Sequence, residues 1–242
     1  MKKIISIILS LVMVLSMSVS ALAAETTSIT TILRDDDMVR IAQAISGDDR
    51  YVSTFDKQNN TITTERFSVS DGTLLATATV NLSVNTITET DLNTGIAVTS
   101  TTQSKYTDSL YGYEYTPGSP AQWRLQRPKY NGEPEEGAYY YRTNQTTTNK
   151  SDLNNFRTTV NSLESLEEEL LAQVGTTTFF AGFATGFAIG SGGTGFGIAL
   201  AAYIAAAGFG LTAQQTSNEI GEKQDDAYYY YFEVFYNSSI YY

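Results

Sequence analysis

The residue types that carry most enzyme chemistry are missing from this chain. It contains no cysteine and no histidine. Ser-His-Asp and Cys-His arrangements are therefore excluded, and the usual ligands of zinc are absent. Carboxylate chemistry or a Ser-Lys pair remains, but no nucleophile and base can be paired by their spacing. We therefore predict that the protein is not an enzyme and that it uses no cofactor or metal.

One glycine-rich motif resembles a nucleotide site. The segment Gly190-Ser191-Gly192-Gly193-Thr194-Gly195 matches GxGxxG, a fingerprint that needs a strand before it and an acidic residue about 20 positions after it. The preceding residues have a helical pattern, and the next acidic residue is Glu219. A turn between two helices explains these glycines better than a bound dinucleotide does.

A run of three aspartates is the second candidate for chemistry. Asp35 to Asp37 predict the N-terminal cap of a short helix over residues 38–45, which Gly47 would end. A calcium loop is the alternative, although the spacing of an EF-hand is absent.

The stretch from Leu170 to Asn218 contains no Asp, Glu, Lys or Arg in a chain of net charge −11. About 20 apolar residues span a bilayer as a helix, so this stretch is long enough to cross twice. The glycine-rich turn divides it into two arms. One arm runs from Leu170 or Thr176 to Gly190 and the other from Thr194 to Ala213, each about 30 Å long by the longer estimates.

Glycines in the arms recur every four residues and so lie on one helix face. Glycine costs about 1 kcal/mol relative to alanine in an aqueous helix, so this register needs a packing reason, such as the close helix approach of GxxxG motifs in membranes. The predicted membrane-inserting residues are Phe179, Phe180, Gly182, Phe183, Gly186, Phe187, Gly190, Gly193, Phe196, Gly197, Ala201, Ala205 and Phe209. A hairpin that is only the packed core of a soluble domain is the alternative.

The first residues are typical of a secretory signal peptide. Lys2 and Lys3 precede an uncharged apolar stretch, and Ala21-Leu22-Ala23 supplies the small residues for cleavage near Ala23. The chain is therefore predicted to be secreted, with a net charge of about −13 once both lysines are removed. An acidic surface repels nucleic acid and anionic lipid. We predict no nucleic-acid partner, and membrane insertion would depend on apolar area or on a receptor.

Period-two patterns predict an antiparallel sheet over residues 48–103. The clearest strand places alternate apolar residues on one face: Leu74, Ala76, Ala78, Val80, Leu82 and Val84. Tyrosine-rich edge strands are predicted between residues 106 and 145. Trp123, with Arg124 and Arg127, is either a carbohydrate or cell-wall contact or a ring that anchors a long loop.

The C-terminal half predicts helices and a final strand. An amphipathic helix begins at Ser151-Asp152, and its apolar stripe would cover the uncharged hairpin. Tyr228 to Tyr236 predict an aromatic strand that closes the sheet. The predicted fold is α+β, with a signal peptide over 1–23, a β domain over 24–150, helices over 151–226 and a strand over 227–242.

Several of these segments together resemble a family. The Lys-Lys leader, the hairpin YVSTFDKQNNTIT, the strand LLATATVNLSV and the Gly/Ala-rich segment with its Tyr-rich tail are similar to the large geobacillin-type secreted bacteriocins of Gram-positive bacteria. The resemblance covers most of the mature chain and is compositional, so no functional residue is carried over. It implies killing or inhibition of related bacteria.

The expected function is a secreted antibacterial protein, monomeric in solution, whose partner is a target-cell membrane or membrane receptor. An oligomer in the membrane and an immunity protein in the producer are further partners that this function allows. An exported, non-toxic cell-surface or wall-associated binding protein, with the hairpin as its buried core, is the alternative.

Overall fold

A computed structural model describes residues 30–128, 139–190 and 193–238. The fold is α+β, as predicted: an antiparallel meander of strands is followed by a helical part. The predicted signal peptide and its cleavage site lie outside the described residues.

The meander contains seven strands, each paired with the next along the chain. They are β1 (Thr31–Asp35), β2 (Val39–Ser46), β3 (Asp49–Asp56), β4 (Thr61–Ser68), β5 (Leu74–Asn81), β6 (Thr86–Thr90) and β7 (Ala97–Thr101). Asn60 and Asn85 have a φ of 54° in two of the turns, a conformation that asparagine tolerates better than most residues. The first strand begins at Thr31, so the sheet starts earlier than the predicted residue 48.

One face of this sheet is apolar and buried. Its core residues include Ala42, Ala44, Tyr51, Ile62, Ala78, Val80 and Ile87. The alternation predicted for β5 is confirmed at Ala78 and Val80, but Val84 is 62% exposed because the strand ends at Asn81. The opposite face is rich in threonine, with hydroxyl hydrogen bonds between neighbouring strands such as Thr63 to Thr79 at 2.9 Å.

The helix predicted over residues 38–45 is wrong, because β2 covers Val39–Ser46. The Asp36 carboxylate accepts the backbone N–H groups of Met38 and Val39 at 2.9 Å each, which builds the turn between β1 and β2. A carboxylate can accept backbone N–H groups at a turn as well as at the start of a helix, so Asp36 is compatible with both structures. The residues form a strand because β2 pairs with β3 along its whole length. Within the described ranges no group of three or more Asp or Glu side chains could hold a metal ion.

A short helix and a second sheet follow the meander. The helix α1 (Thr102–Asp108) leads to β8 (Gly112–Thr116), β9 (Gln122–Gln126) and β10 (Tyr140–Asn144), which form an antiparallel sheet with β9 in the centre. The predicted tyrosine-rich strands are confirmed. Trp123 lies in β9 with only 2% of its surface exposed and packs on Tyr115. Its ring is too buried to stack on a carbohydrate, so the part of that interpretation that rests on the Trp123 ring is wrong.

Four helices complete the chain: α2 (Lys150–Val174), α3 (Thr176–Ile189), α4 (Gly193–Ala206) and α5 (Leu211–Asn237). The amphipathic helix is confirmed as α2, which buries Leu153, Phe156, Val160, Leu163, Leu170 and Val174.

The predicted C-terminal strand is wrong, because Tyr228 to Tyr236 continue α5. Ala227, Tyr231 and Val234 are buried at the spacing of a helix face, and the Tyr231 ring packs against Phe156 of α2. The strand preference of tyrosine is weak and depends on context, so packing against α2 overrides it.

A buried, glycine-packed hairpin as the candidate functional site

The uncharged segment forms a helical hairpin of α3 and α4, each of 14 residues. At 1.5 Å per residue each arm is about 21 Å long, shorter than the predicted 30 Å. The second arm ends at Ala206 rather than Ala213, because Gly208 adopts a φ of 101° and breaks the helix before α5. No helix in the described part of the chain has the length and apolar content needed to cross a membrane.

The second arm lies at the centre of the fold. One side of α4 packs on β2 and β3, another on α5, and a third on α3. Every residue from Phe196 to Ala206 is buried. The predicted site residues that are buried are Phe179, Gly182, Phe183, Gly186, Gly193, Phe196, Gly197, Ala201 and Ala205; Phe180, Phe187, Gly190 and Phe209 are partly exposed.

The first glycine row joins the two arms. A side chain added at Gly186 would lie 3.0 Å from the Phe196 ring, and one added at Gly190 would lie 2.7 Å from the Phe196 backbone nitrogen. At Gly182 an added carbon would meet the end of Leu200 at 2.7 Å. The arms therefore approach so closely that side chains of α4 occupy the space above Gly182 and Gly186, and the α4 backbone occupies the space above Gly190.

The second glycine row, on α4, packs against α5. A β-carbon at Gly197 would lie 2.8 Å from both the Gly221 α-carbon and the Ser217 carbonyl oxygen. The contact is thus backbone against backbone, which only small residues allow. Sequence reasoning missed α5 as the partner, although Ser217, Gly221 and Asp225 have the same four-residue spacing.

A single carboxylate holds the tip of the hairpin. Asp225 of α5 accepts the backbone N–H of Thr194 at 2.7 Å and also the hydroxyl of that residue. The first N–H groups of a helix lack partners within the helix and attract negative charge. Asp225 therefore caps the first turn of α4 from a neighbouring helix.

The first arm is held by α1. The Tyr106 ring packs on Phe179, Phe180 and Phe183 with centroid distances of 5.1–5.3 Å, and its hydroxyl donates to the Glu167 carboxylate of α2 at 2.9 Å. Tyr106 thus joins the hairpin to α2. Sequence reasoning missed this contact because a seven-residue helix leaves little periodicity. The apolar stripe of α2 packs mainly on α5 and only slightly on the hairpin, so the prediction that α2 covers the hairpin is wrong.

The Glu167 carboxyl has an altered proton affinity. Burial raises its pKa from 4.5 to about 7; the Glu164 carboxylate also raises it, whereas the hydrogen bond from Tyr106 opposes the rise. Because the folded value exceeds the unfolded one, the stability that this group contributes is complete below about pH 4.5 and is lost as the pH rises through 7.

We therefore expect Glu167→Gln to flatten the pH dependence of stability. Glutamine keeps an acceptor for the Tyr106 hydroxyl and carries no charge. At pH 8 the variant should exceed the wild type by about 1 kcal/mol in unfolding free energy, after allowance for solvent screening. Urea unfolding at pH 5, 6.5 and 8 measures this. Glu168→Gln, at an exposed neighbour, is the control, and identical profiles for the Glu167 variant and the wild type would contradict the assignment.

The second arm also contains a buried polar group without a partner among the described residues. Tyr203 of α4 has no exposed surface, and its hydroxyl makes no hydrogen bond to any described residue. An unsatisfied buried hydroxyl costs about 1–3 kcal/mol. The hairpin is therefore not optimised as a purely apolar core.

Comparisons with protein-family models, with curated proteins and with solved structures found no match to this chain. A function is therefore inferred from its own residues.

Proposed function

We propose that this is a secreted antibacterial protein that acts on the membrane of related bacteria through the α3–α4 hairpin, which its soluble fold keeps covered. The observation that carries the proposal is α4: an uncharged helix, buried on every side from Phe196 onwards, in a strongly acidic chain. Such a segment can exchange protein for lipid without transferring a charged side chain, and charged side chains are the costliest residues to bury in a membrane.

The packing of the hairpin supports this proposal. Backbone hydrogen bonds within a helix are satisfied without water, as a bilayer requires. The contacts of Gly182 and Gly186 with α4 join the arms to each other, and small-residue packing of this kind also works in lipid. The contact of Gly197 with Gly221 and the cap from Asp225 join the hairpin to α5, so these are the contacts that insertion would break.

Arm length sets a further requirement. Each arm has 14 residues, fewer than the roughly 20 that span a bilayer. The uncharged run extends beyond both arms, from Leu170 in α2 to Asn218 in α5. Insertion would therefore lengthen the arms by continuing the helices through the breaks at Gly175 and Gly208.

A second function is favoured by the same arm length. The short arms and their burial also suit an exported, non-toxic cell-surface or wall-associated binding protein in which the hairpin is only the core. The two functions differ in whether the tip of the hairpin ever enters lipid.

A cation near the tip tests this difference. Ala188 is partly exposed in the last turn of α3, where a positive charge is favourable and a lysine stem can reach water. We expect Ala188→Lys to keep the melting temperature within a few degrees. Leakage from dye-loaded liposomes and killing of related Gram-positive cells should fall by about a hundredfold. To span the bilayer, the tip must carry the lysine through the hydrocarbon core, where a lysine costs about 2.5–3.5 kcal/mol.

The matched control is Ala172→Lys, an exposed position in the last turn of α2. It lies before Gly175, at the end of the hairpin farthest from the tip, where a lysine can reach the membrane surface, so leakage should be retained. Wild-type protein that causes no leakage and no killing, or an Ala188→Lys variant with full leakage, would leave the hairpin as a core and favour the binding protein.

A further inference from the structure

Positive charge is concentrated in one part of this acidic protein. Residues 112–128 and 139–157 contain five cations and two acids, whereas the other described residues contain seven cations and twenty acids. The five cations are Arg124, Arg127, Arg142, Lys150 and Arg157. Lys129 and the three glutamates of residues 133–136 lie outside the described residues. The small sheet with its neighbouring helix end is therefore basic, although the rest of the described chain is strongly acidic.

Two of these arginines face each other on the small sheet. Arg142 of β10 is the direct register partner of Arg124 of β9. Arg124 alternates with the buried Trp123 and Leu125 along β9, so Arg124 and its register partner Arg142 lie on the sheet face that points away from the core. Gln122 and Asn144, also register partners, continue that face. Glu114 of β8, the register partner of Arg124 on its other side, lies on the same face. We call these five side chains, with Tyr140, the outer face of the small sheet.

This register places two positive charges opposite each other, and only one of them has a partner of opposite charge among the described residues. Like charges directly opposite each other destabilise a pair of strands. Glu114 compensates Arg124 through an ion pair of 2.8 Å, and the Arg124 guanidinium lies 4.3 Å from the Tyr140 ring centroid. Arg142 is exposed and makes no ion pair with a described residue. An anion between the two arginines would remove this repulsion.

The chemistry of the side chains indicates which anion. Guanidinium groups bind phosphate oxygens through two parallel hydrogen bonds. The amides of Gln122 and Asn144, both exposed, can donate to and accept from hydroxyl groups. Phosphate groups alternating with hydroxyl-bearing units match this set of donors and acceptors.

We propose that the outer face of the small sheet binds a phosphodiester-linked polyol polymer of the bacterial cell surface. A flexible polymer can follow this small face alone. A planar anionic membrane would also approach the acidic remainder of the protein. Salt screens charges only beyond about 8 Å, so the membrane and these acidic side chains would repel each other. This proposal is independent of the hairpin, since none of these residues contacts α3 or α4 in the interactions described above.

Binding of lipid-free poly(glycerol phosphate) to the purified mature protein tests the proposal, measured by calorimetry at two salt concentrations. We expect binding that weakens with salt and that Arg142→Gln weakens roughly tenfold. Because the variant removes a like-charge contact, its melting temperature should not fall. Arg34→Gln, at an exposed arginine of β1 paired with Asp36, is the matched control and should bind like the wild type.

Three results would overturn the proposal: no binding of the polymer, equal binding by Arg142→Gln and wild type, or equally tight binding of polyglutamate, which carries carboxylates. Binding to phosphatidylglycerol vesicles but not to the polymer would assign this face to a membrane instead. Leakage from polymer-free vesicles is measured separately with the same proteins, so failure of polymer binding is distinguishable from failure of the antibacterial function.

Discussion

Ala201→Asp is expected to abolish the soluble fold at neutral pH. Ala201 has no exposed surface in α4, the helix enclosed by the meander, α3 and α5. An uncompensated buried charge costs about 3–5 kcal/mol, a large part of the 5–15 kcal/mol that stabilises a typical domain. Far-UV circular dichroism and urea unfolding should show a much earlier transition or none.

Two controls identify the cause of that loss. Ala172→Asp places the same side chain on the exposed surface of α2 and should change stability by less than about 1 kcal/mol. Lowering the pH should partly restore Ala201→Asp, because protonation removes the charge. Full stability of this variant at pH 7 would show that water reaches α4. Since the fold is lost, loss of killing by Ala201→Asp carries no information about insertion, whereas Ala188→Lys does.

Gly197→Ala is expected to lower the unfolding free energy by about 1–3 kcal/mol, although alanine favours a helix by about 1 kcal/mol over glycine. The added carbon would lie 2.8 Å from backbone atoms of Gly221 and Ser217. Backbone atoms cannot rotate away as the end of a side chain can, so α4 and α5 must separate. The melting temperature should fall by about 2–4 °C for each kcal/mol lost.

The matched control makes the same change where there is room. At Gly112 in β8 an added carbon would meet the Gln126 side chain at 3.6 Å, an ordinary contact. Gly112→Ala should therefore be neutral or slightly stabilising. Equal melting temperatures for the two variants would show that α4 and α5 are not in backbone contact.

Local patterns in the sequence determined much of this fold. Alternation in the meander strands and the three-and-four spacing of α2 each follow from contacts with a single face, so each leaves a period in the chain. The second arm of the hairpin is buried on every side, and it is visible instead as a run without charges. The four-residue spacing of Gly182, Gly186 and Gly190 likewise indicated a close helix contact. These features need no knowledge of which distant element lies opposite.

Tertiary structure decided the secondary structure of two segments and the contacts between distant elements, because both depend on residues far apart in the chain. Pairing with β3 made residues 39–46 a strand, and packing on Phe156 made the tyrosine-rich tail a helix. Only the fold brought Gly197 against Gly221, Tyr106 against Glu167, and Arg142 opposite Arg124. Helix propensity and periodicity do not indicate which distant residue a given side chain will contact. Long-range packing and strand register set those contacts.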